Sequence, residues 1–291
     1  MKPLRTVLRP ATALDRKTRR RSRAARGPLL QRVCRPTLGP VARFLWPAHL
    51  AGFDRVPPIG AAIICANHLS FMDSVMLIVS VPRPVHFIGK AEYLDSWKTR
   101  WLFPALGMIP IDRERGARAM IALDAAGVVL ADGGVLALYP EGTRSRDGRL
   151  YRGYTGAARL ALTYGCPILP VGIAGTDSIQ PAGARLPRPR RRCSLTMAEP
   201  IVVEQVAHVG RVGARALTEE VMGAICSITG QVKVGHHAPR VVKPITPGTS
   251  VTPVIPVAVV VSEPRAHRFR ELRESVVDSS NSSKSGKLVR R

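Results

Sequence analysis

Short, unbroken apolar runs that stop abruptly at polar residues constrain this chain more than any other feature. Ala61–Ala66 stops at Asn67-His68, Met108–Ile111 at Asp112-Arg113, and Val135–Tyr139 at Pro140-Glu141. Ile168–Ile173 is another such run, opened by Cys166-Pro167. Runs this short, with no polar alternation, suit strands buried on both faces of a sheet. Val85–Ile88, Ser194–Met197 and Ile201–Val203 read as further strands. Helix-like segments lie between them: Ser70–Val79, Trp97–Leu106, Ala117–Ala131, Gly156–Tyr164 and Ala214–Ile228. Gly165 follows the fourth of these, where a left-handed residue commonly ends a helix. The alternation implies an α/β fold with one central, mostly buried mixed sheet flanked by helices. No internal repeat is visible.

These segments fall almost entirely within residues 37–232, which read as the folded domain. Residues 1–36 are rich in Arg with little to bury, and read as a disordered basic head. Residues 233–291 are rich in Pro, Ser and Arg and read as a low-complexity, disordered tail. Its apolar piece, Val251–Val261, is interrupted by Pro253 and Pro256. Between head and domain, Leu29, Leu30, Val33, Leu38, Val41, Phe44, Leu45 and Trp46 lie among Arg32, Arg35 and Arg43. This mixture fits a segment lying in a membrane interface, and equally a segment packed on the domain's own core. Pro36 and Pro40 are expected to break any single long helix here.

The formal net charge is +24, from 44 Lys and Arg against 20 Asp and Glu. Such an excess calls for a polyanionic partner: nucleic acid, an anionic membrane or a charged metabolite. The five cysteines are widely spaced, odd in number and form no C-x-x-C pair, so reduced thiols are expected rather than a disulfide framework or a zinc site. No stretch approaches the ~18–20 apolar residues of a spanning helix. The Arg-rich start has no adjoining apolar segment of the secretory type, although its composition would suit a transit peptide.

The chemistry concentrates where the runs end. His68 and Asp73 are five residues apart, too far round a continuous helix to meet. They meet only if a turn separates a strand ending at His68 from a helix starting near Ser70. A carboxylate on one imidazole nitrogen fixes the tautomer and leaves the other nitrogen to take a proton. With no G-x-S-x-G-like nucleophile in view, that proton would come from a substrate hydroxyl. A core histidine capped by a neighbouring Asp fits the same pair. In Tyr139-Pro140-Glu141-Gly142-Thr143-Arg144-Ser145-Arg146, Gly142 permits close backbone approach and Thr143 offers a hydroxyl. Arg144 offers a planar fork suited to phosphate, which Glu141 could anchor; a polar surface turn fits equally well. Asp112-Arg113 ends another strand, and could be only a surface ion pair.

Taken together and in this order, these stretches resemble the glycerolipid acyltransferase family, in its lysophosphatidate acyltransferase form. The likeness rests on Asn67, His68 and Asp73, on Arg113, on Glu141-Gly142-Thr143-Arg144-Ser145, and on Pro167 through Val171. Flanking pieces agree: Gly52–Pro57 looks like the family's lead-in strand and turn, and Lys90–Leu94, Gly156–Ala161 and Ala198–Ile201 look like its later segments. The resemblance covers about residues 45–205.

It implies a single acyltransferase domain in which His68 is the general base and Asp73 orients it. Arg113 and Arg144 would hold the acceptor phosphate, and Glu141, Gly142 and Thr143 would shape the same pocket. The implied partners are acyl-CoA or acyl carrier protein as donor substrate and a lysophospholipid acceptor, with no metal or prosthetic group. The implied location is the cytoplasmic face of an anionic membrane, peripheral or monotopic. Glycerol 3-phosphate or another lysophospholipid remains open as acceptor. A basic nucleic-acid-binding module is a competing reading, but aromatics are only 5%, which leaves few stacking platforms. No specific nucleic acid is therefore expected. A catalytically silent lipid-binding scaffold would not need the intact His68, Asp73 and Arg144.

Overall fold

The computed structural model describes residues 28–90, 102–111 and 116–239 of the 291. Seven strands form one sheet: β1 (Ala48–Ala51), β2 (Ala62–Ala66), β3 (Val85–Lys90), β4 (Met108–Ile111), β5 (Val135–Leu138), β6 (Ile168–Ala174) and β7 (Cys193–Met197). Their order is β1-β7-β6-β2-β5-β3-β4. All neighbours are parallel except β6 and β7, so β1 and β7 run against the rest. The sheet is mixed, as expected from sequence.

Helices cover both faces. On one lie α1 (Leu29–Leu45), α2 (Met72–Ser80) and the single turn α5 (Thr176–Ile179); on the other lie α3 (Gly116–Ala131), α4 (Gly156–Tyr164) and α6 (Arg211–Thr229). Alternation along β2 divides the core: Ala62, Ile64 and Ala66 join the first face, Ile63 and Cys65 the second. Every residue of β2 is buried. Each large aliphatic side chain so placed contributes ~1.5–3 kcal/mol, which is why the central strands are uniformly apolar.

Several expectations change. Pro36 and Pro40 do not break the helix; α1 is continuous through both. Four residues apart, the prolines remove only two successive links of one ladder row, and the Thr37 hydroxyl donates to Val33 O at 2.8 Å beside the gap. The helix is held from elsewhere. The wholly buried Gln31 donates to Val85 O at 2.6 Å and Leu106 O at 2.7 Å, and accepts from Val85 N at 2.9 Å. Arg43 donates to Val79 O at 2.9 Å, near the carbonyl end of α2.

The helix thus runs across the boundary expected at residue 36. It buries Gln31 and Ala42 while Val33, Leu38, Val41 and Phe44 stay exposed. At the other end, residues 233–238 pack along the loop at 148–154, past the boundary expected at 232.

Ile201–Val203 is not a strand: Ile201 makes one bridge to Ile168 and the chain departs. Gly52–Pro57, expected as a lead-in strand and turn, holds a 3-10 turn (Phe53–Arg55), and the strand, β1, ends just before it at Ala51. Of the helix expected at Trp97–Leu106, only 102–106 is described: 102–105 is helical and Leu106 lies in the turn that follows. Residues 91–101, Asp112 and Arg113, the basic head before residue 28 and the tail from residue 240 lie outside the described residues. Among the described residues no helix is long and apolar enough to cross a membrane.

Candidate active site

The carboxyl ends of β2, β5 and β6 meet at one rim of the sheet, and the sequence-derived residues gather there. Asn67 begins the departure from β2. It is fully buried, and its amide replaces a strand peptide: Nδ2 donates to Ile173 O at 2.8 Å and Oδ1 accepts from Ile173 N at 2.7 Å. The ladder to β6 is completed by a side chain, so the main chain is free to leave the sheet at His68.

The turn that follows is organised by Asp73, in the first turn of α2. Its Oδ2 accepts from Leu69 N at 2.7 Å, Ser70 N at 2.9 Å and His68 Nδ1 at 2.8 Å. Its Oδ1 accepts the Thr176 hydroxyl. A carboxylate partner places the imidazole proton on Nδ1, so Nε2 presents a lone pair. The His68 side chain keeps 17% of its exposure, while Asp73 keeps none. The pair therefore joins a buried carboxylate to an imidazole that solvent or a ligand can reach.

The imidazole is also held by its faces. Tyr139 stacks on it, ring centroids 3.8 Å apart and 9° from parallel. The Tyr139 hydroxyl pairs with Ser74 Oγ at 2.7 Å. Burial, with the Asp73 charge beside it, pushes that phenol well above its ordinary range, so it stays neutral.

Glu141 sits beneath. Its Oε1 accepts from His68 N at 3.1 Å and its Oε2 from Tyr151 N at 2.9 Å. Ser145 N donates in turn to His68 O at 2.7 Å. Glu141 is 1% exposed and clamps two loops together, which differs from the pocket-lining contact that the sequence suggested. Burial pushes its carboxyl up to about 7, against the two amide bonds that favour the charge; Asp73 and Asp147 nearby add to the rise.

Gly142 is left-handed at φ 73, and a Cβ there would come within 3.0 Å of the Tyr154 ring. Thr143 and Arg144 are half-buried beside it. Among the described residues Arg144 has no hydrogen-bond or ion-pair partner, and it adjoins the Ser145–His68 backbone bond. A guanidinium has the donors and charge to pair with a carboxylate or phosphate. The structure therefore brings together His68, Asp73, Glu141, Gly142, Thr143 and Arg144; Arg113 lies outside the described residues.

Sequence reading missed Thr176, Tyr139, Ser74 and Gln231 as parts of this site. Thr176 follows Gly175, whose φ is 83 and whose absent Cβ would meet Arg192 O at 2.6 Å. Gln231 accepts from Asn67 Nδ2 at 2.9 Å and donates to Gly148 O at 2.7 Å, tying the end of α6 to both loops. Thr176 and Gln231 stand 103 and 164 residues from their partners, so no local pattern announces them. Stacking of Tyr139 on His68 was signalled only by both residues ending neighbouring strands. Three buried thiols are poor nucleophiles: burial raises Cys65, and raises Cys166 and Cys193 to about 11.

Comparison with known proteins falls on this same region. Residues 49–174 match the Acyltransferase family model. A chloroplastic 1-acyl-sn-glycerol-3-phosphate acyltransferase of Brassica napus is 28% identical over 136 residues, covering 46% of this chain and 39% of that protein. A 1-acyl-sn-glycerol-3-phosphate acyltransferase of Limnanthes douglasii is 34% identical over 116 residues, covering 40% of this chain and 41% of that protein. The chain thus spans about four-tenths to half of the length of the curated relatives it matches. The crystal structure of PlsC, the 1-acyl-sn-glycerophosphate acyltransferase of Thermotoga maritima, superposes with a TM-score of 0.55 at 25% identity, covering 75% of this chain and 83% of that one.

Proposed function

We propose, from the match of residues 49–174 to the Acyltransferase family model, that the protein moves a fatty acyl group from a thioester to the free hydroxyl of 1-acylglycerol 3-phosphate. The donor is acyl-CoA or acyl carrier protein, and the product is phosphatidate. The observation that carries the reading is the His68–Asp73 pair, closed at Nδ1 by a buried carboxylate and open at Nε2.

The acceptor hydroxyl donates to Nε2. As its oxygen attacks the thioester carbonyl carbon, the proton passes to Nε2 and Asp73 steadies the imidazolium. The tetrahedral adduct collapses, the C–S bond breaks, and the thiolate takes the proton back from Nε2. An ester and a thiol leave, and His68 is again neutral. General-base assistance of this kind contributes ~10²–10⁴-fold. No acyl-enzyme is required, in keeping with the buried, protonated thiols. The thioester supplies the activation, so the proposed reaction calls for no metal or prosthetic group.

Arg144 binds the acceptor phosphate, and Arg113 is assigned the same task from its place in the motif order. Anchoring the phosphate makes the attack nearly intramolecular, which contributes up to ~7–11 kcal/mol. Phe71, partly exposed and edge-on to Phe103 at 6.2 Å, offers an apolar rim for an acyl chain next to His68. The reading sets the protein at the cytoplasmic face of a membrane, peripheral or monotopic. The exposed Val33, Leu38, Val41 and Phe44 of α1 support that position.

The test is conversion of 1-oleoylglycerol 3-phosphate to phosphatidate by purified protein, read by mass spectrometry with palmitoyl-CoA and palmitoyl carrier protein in parallel. Phosphatidate from either donor supports the reading. Transfer only to glycerol 3-phosphate, or only to a lysophospholipid lacking the terminal phosphate, would replace the acceptor. Thioester hydrolysis without transfer to any acceptor would overturn the proposal.

A further inference from the structure

The loop from Gly175 to Arg192 starts at the candidate active site and ends in the densest cluster of charge among the described residues. Arg185, Arg188, Arg190, Arg191 and Arg192 lie within eight positions, all exposed. Among the described residues none of the five has a carboxylate or other side-chain partner. Five like charges so close repel one another, and an external polyanion removes that cost.

The loop is a built element rather than a loose one. Arg188 N donates to Ile179 O at 2.7 Å, and Pro187 and Pro189 restrict the chain on either side. Arg190 is the one non-glycine residue with positive φ among the described residues, at 60°. That conformation is unfavourable for a side chain, and it is held here by the bond from Arg190 N to Leu45 O at 2.8 Å. Leu45 is the last residue of α1, so the arginine turn caps the helix's carbonyl end. Trp46 Nε1 donates to Arg188 O at 3.0 Å, and Cys193 N to Pro47 O at 3.1 Å. The arginines and the end of α1 are one stitched unit.

That unit is also apolar. Phe44, next to the capped carbonyl, is 82% exposed, and Leu186 is 80% exposed. It lies at the rim that holds His68. β7 runs antiparallel to β6 with Ala174 opposite Ser194, so the loop between them sits at the carboxyl end of β6. Ser70 and Thr176 tie the loop to the site: Ser70 Oγ donates to Gln180 O at 2.9 Å, and Thr176 bonds Asp73.

We infer that the Arg185–Arg192 loop and the carboxyl end of α1 form a docking surface for an anionic lipid bilayer. Guanidinium groups meet headgroup phosphates, and Phe44 and Leu186 enter the acyl boundary. A bilayer fits better than nucleic acid because the largely exposed Phe44 and Leu186 side chains sit among the arginines, and phosphate backbones leave them unburied. The inference rests on the lipid-acceptor reading for its purpose: docking here holds the mouth at His68 against the surface from which an insoluble acceptor comes. It stands or falls separately as a binding surface.

The experiment is sedimentation of the full chain with vesicles of phosphatidylcholine, with and without phosphatidylglycerol, in the absence of any acyl donor. The variants are a triple R188Q/R191Q/R192Q, the matching triple Lys variant, and F44S. At about fivefold per basic residue, the Gln triple should bind anionic vesicles ~100-fold more weakly, with the Lys triple near wild type. F44S should weaken binding with and without phosphatidylglycerol. All substituted side chains are exposed, and circular dichroism checks the fold. Wild-type binding by the Gln triple overturns the inference. So does a wild-type preference for a duplex oligonucleotide over anionic vesicles that the Gln triple loses. A chain that docks as described but transfers no acyl group overturns the functional reading and leaves the docking surface in place.

Discussion

Thr176 donates its hydroxyl to Oδ1 of Asp73, the oxygen that the His68 imidazole leaves free. One carboxylate thus joins the turn after β2, the first turn of α2 and the first turn after β6. With Leu69 N and Ser70 N also bound, the Asp73 charge is buried but fully met, which is what makes it tolerable at zero exposure.

Asp73→Asn should keep the fold and lose the rate. The amide oxygen can accept the bonds now made by Oδ2, and the amide nitrogen can donate to Thr176. The imidazolium loses its counter-charge, so kcat should fall by roughly 10²–10⁴-fold. Steady-state kinetics beside a thermal melt read both. Wild-type kcat in a folded Asn variant would defeat the proposed pairing.

Removing the Thr176 hydroxyl strands a buried carboxylate oxygen. Thr176→Val should therefore destabilise the protein by ~1–3 kcal/mol and reduce kcat, whereas Thr176→Ser should restore most of both. Denaturant unfolding decides it. Equal stability of the Val and Ser variants would mean the hydroxyl contributes nothing.

Glu141 gives a pH dependence with a definite sign. Its carboxyl rises from 4.5 in the unfolded chain to about 7 in the folded one. Between these values the folded protein holds more protons than the unfolded, so stability falls as pH rises. The stabilising contribution is complete below about 4.5 and lost by the time pH has passed about 7. Glu141→Gln should flatten that part of the stability profile. Denaturant midpoints at several pH values are the measurement, and an unchanged slope in the variant would assign it to another group.

Arg144→Ala should raise the KM for the phosphate-bearing acceptor by roughly 10–100-fold, the range of a charge-assisted hydrogen bond, and alter the donor KM far less. Equal losses for the two substrates would argue against a phosphate role.

The central strands were legible because burial on both faces leaves no choice of residue. Ala61–Ala66, Val135–Tyr139 and Ile168–Ile173 each lie within a residue of the observed β2, β5 and β6. β1 was not legible: Ala-His-Leu-Ala carries no pattern and becomes a strand through pairing with β7. The prolines of α1 misled because local propensity was outweighed by anchors more than fifty positions away, at Val85 and Leu106. In the site, His68 and Asp73 were readable because one short turn joins them. Glu141 was readable as a residue but not as a clamp, since its role depends on which amides the fold brings to it. Thr176 and Gln231 reach the site only through the order of strands in the sheet.

The claim on which the rest depends is that Nε2 of His68 takes the proton from the acceptor hydroxyl. Acyl transfer to 1-oleoylglycerol 3-phosphate, compared between the wild type and a folded His68→Ala variant under saturating donor and acceptor, tests it most directly. The account predicts transfer by the wild type and a loss of at least ~10²-fold in kcat in the variant. Transfer at the same rate by both would contradict it.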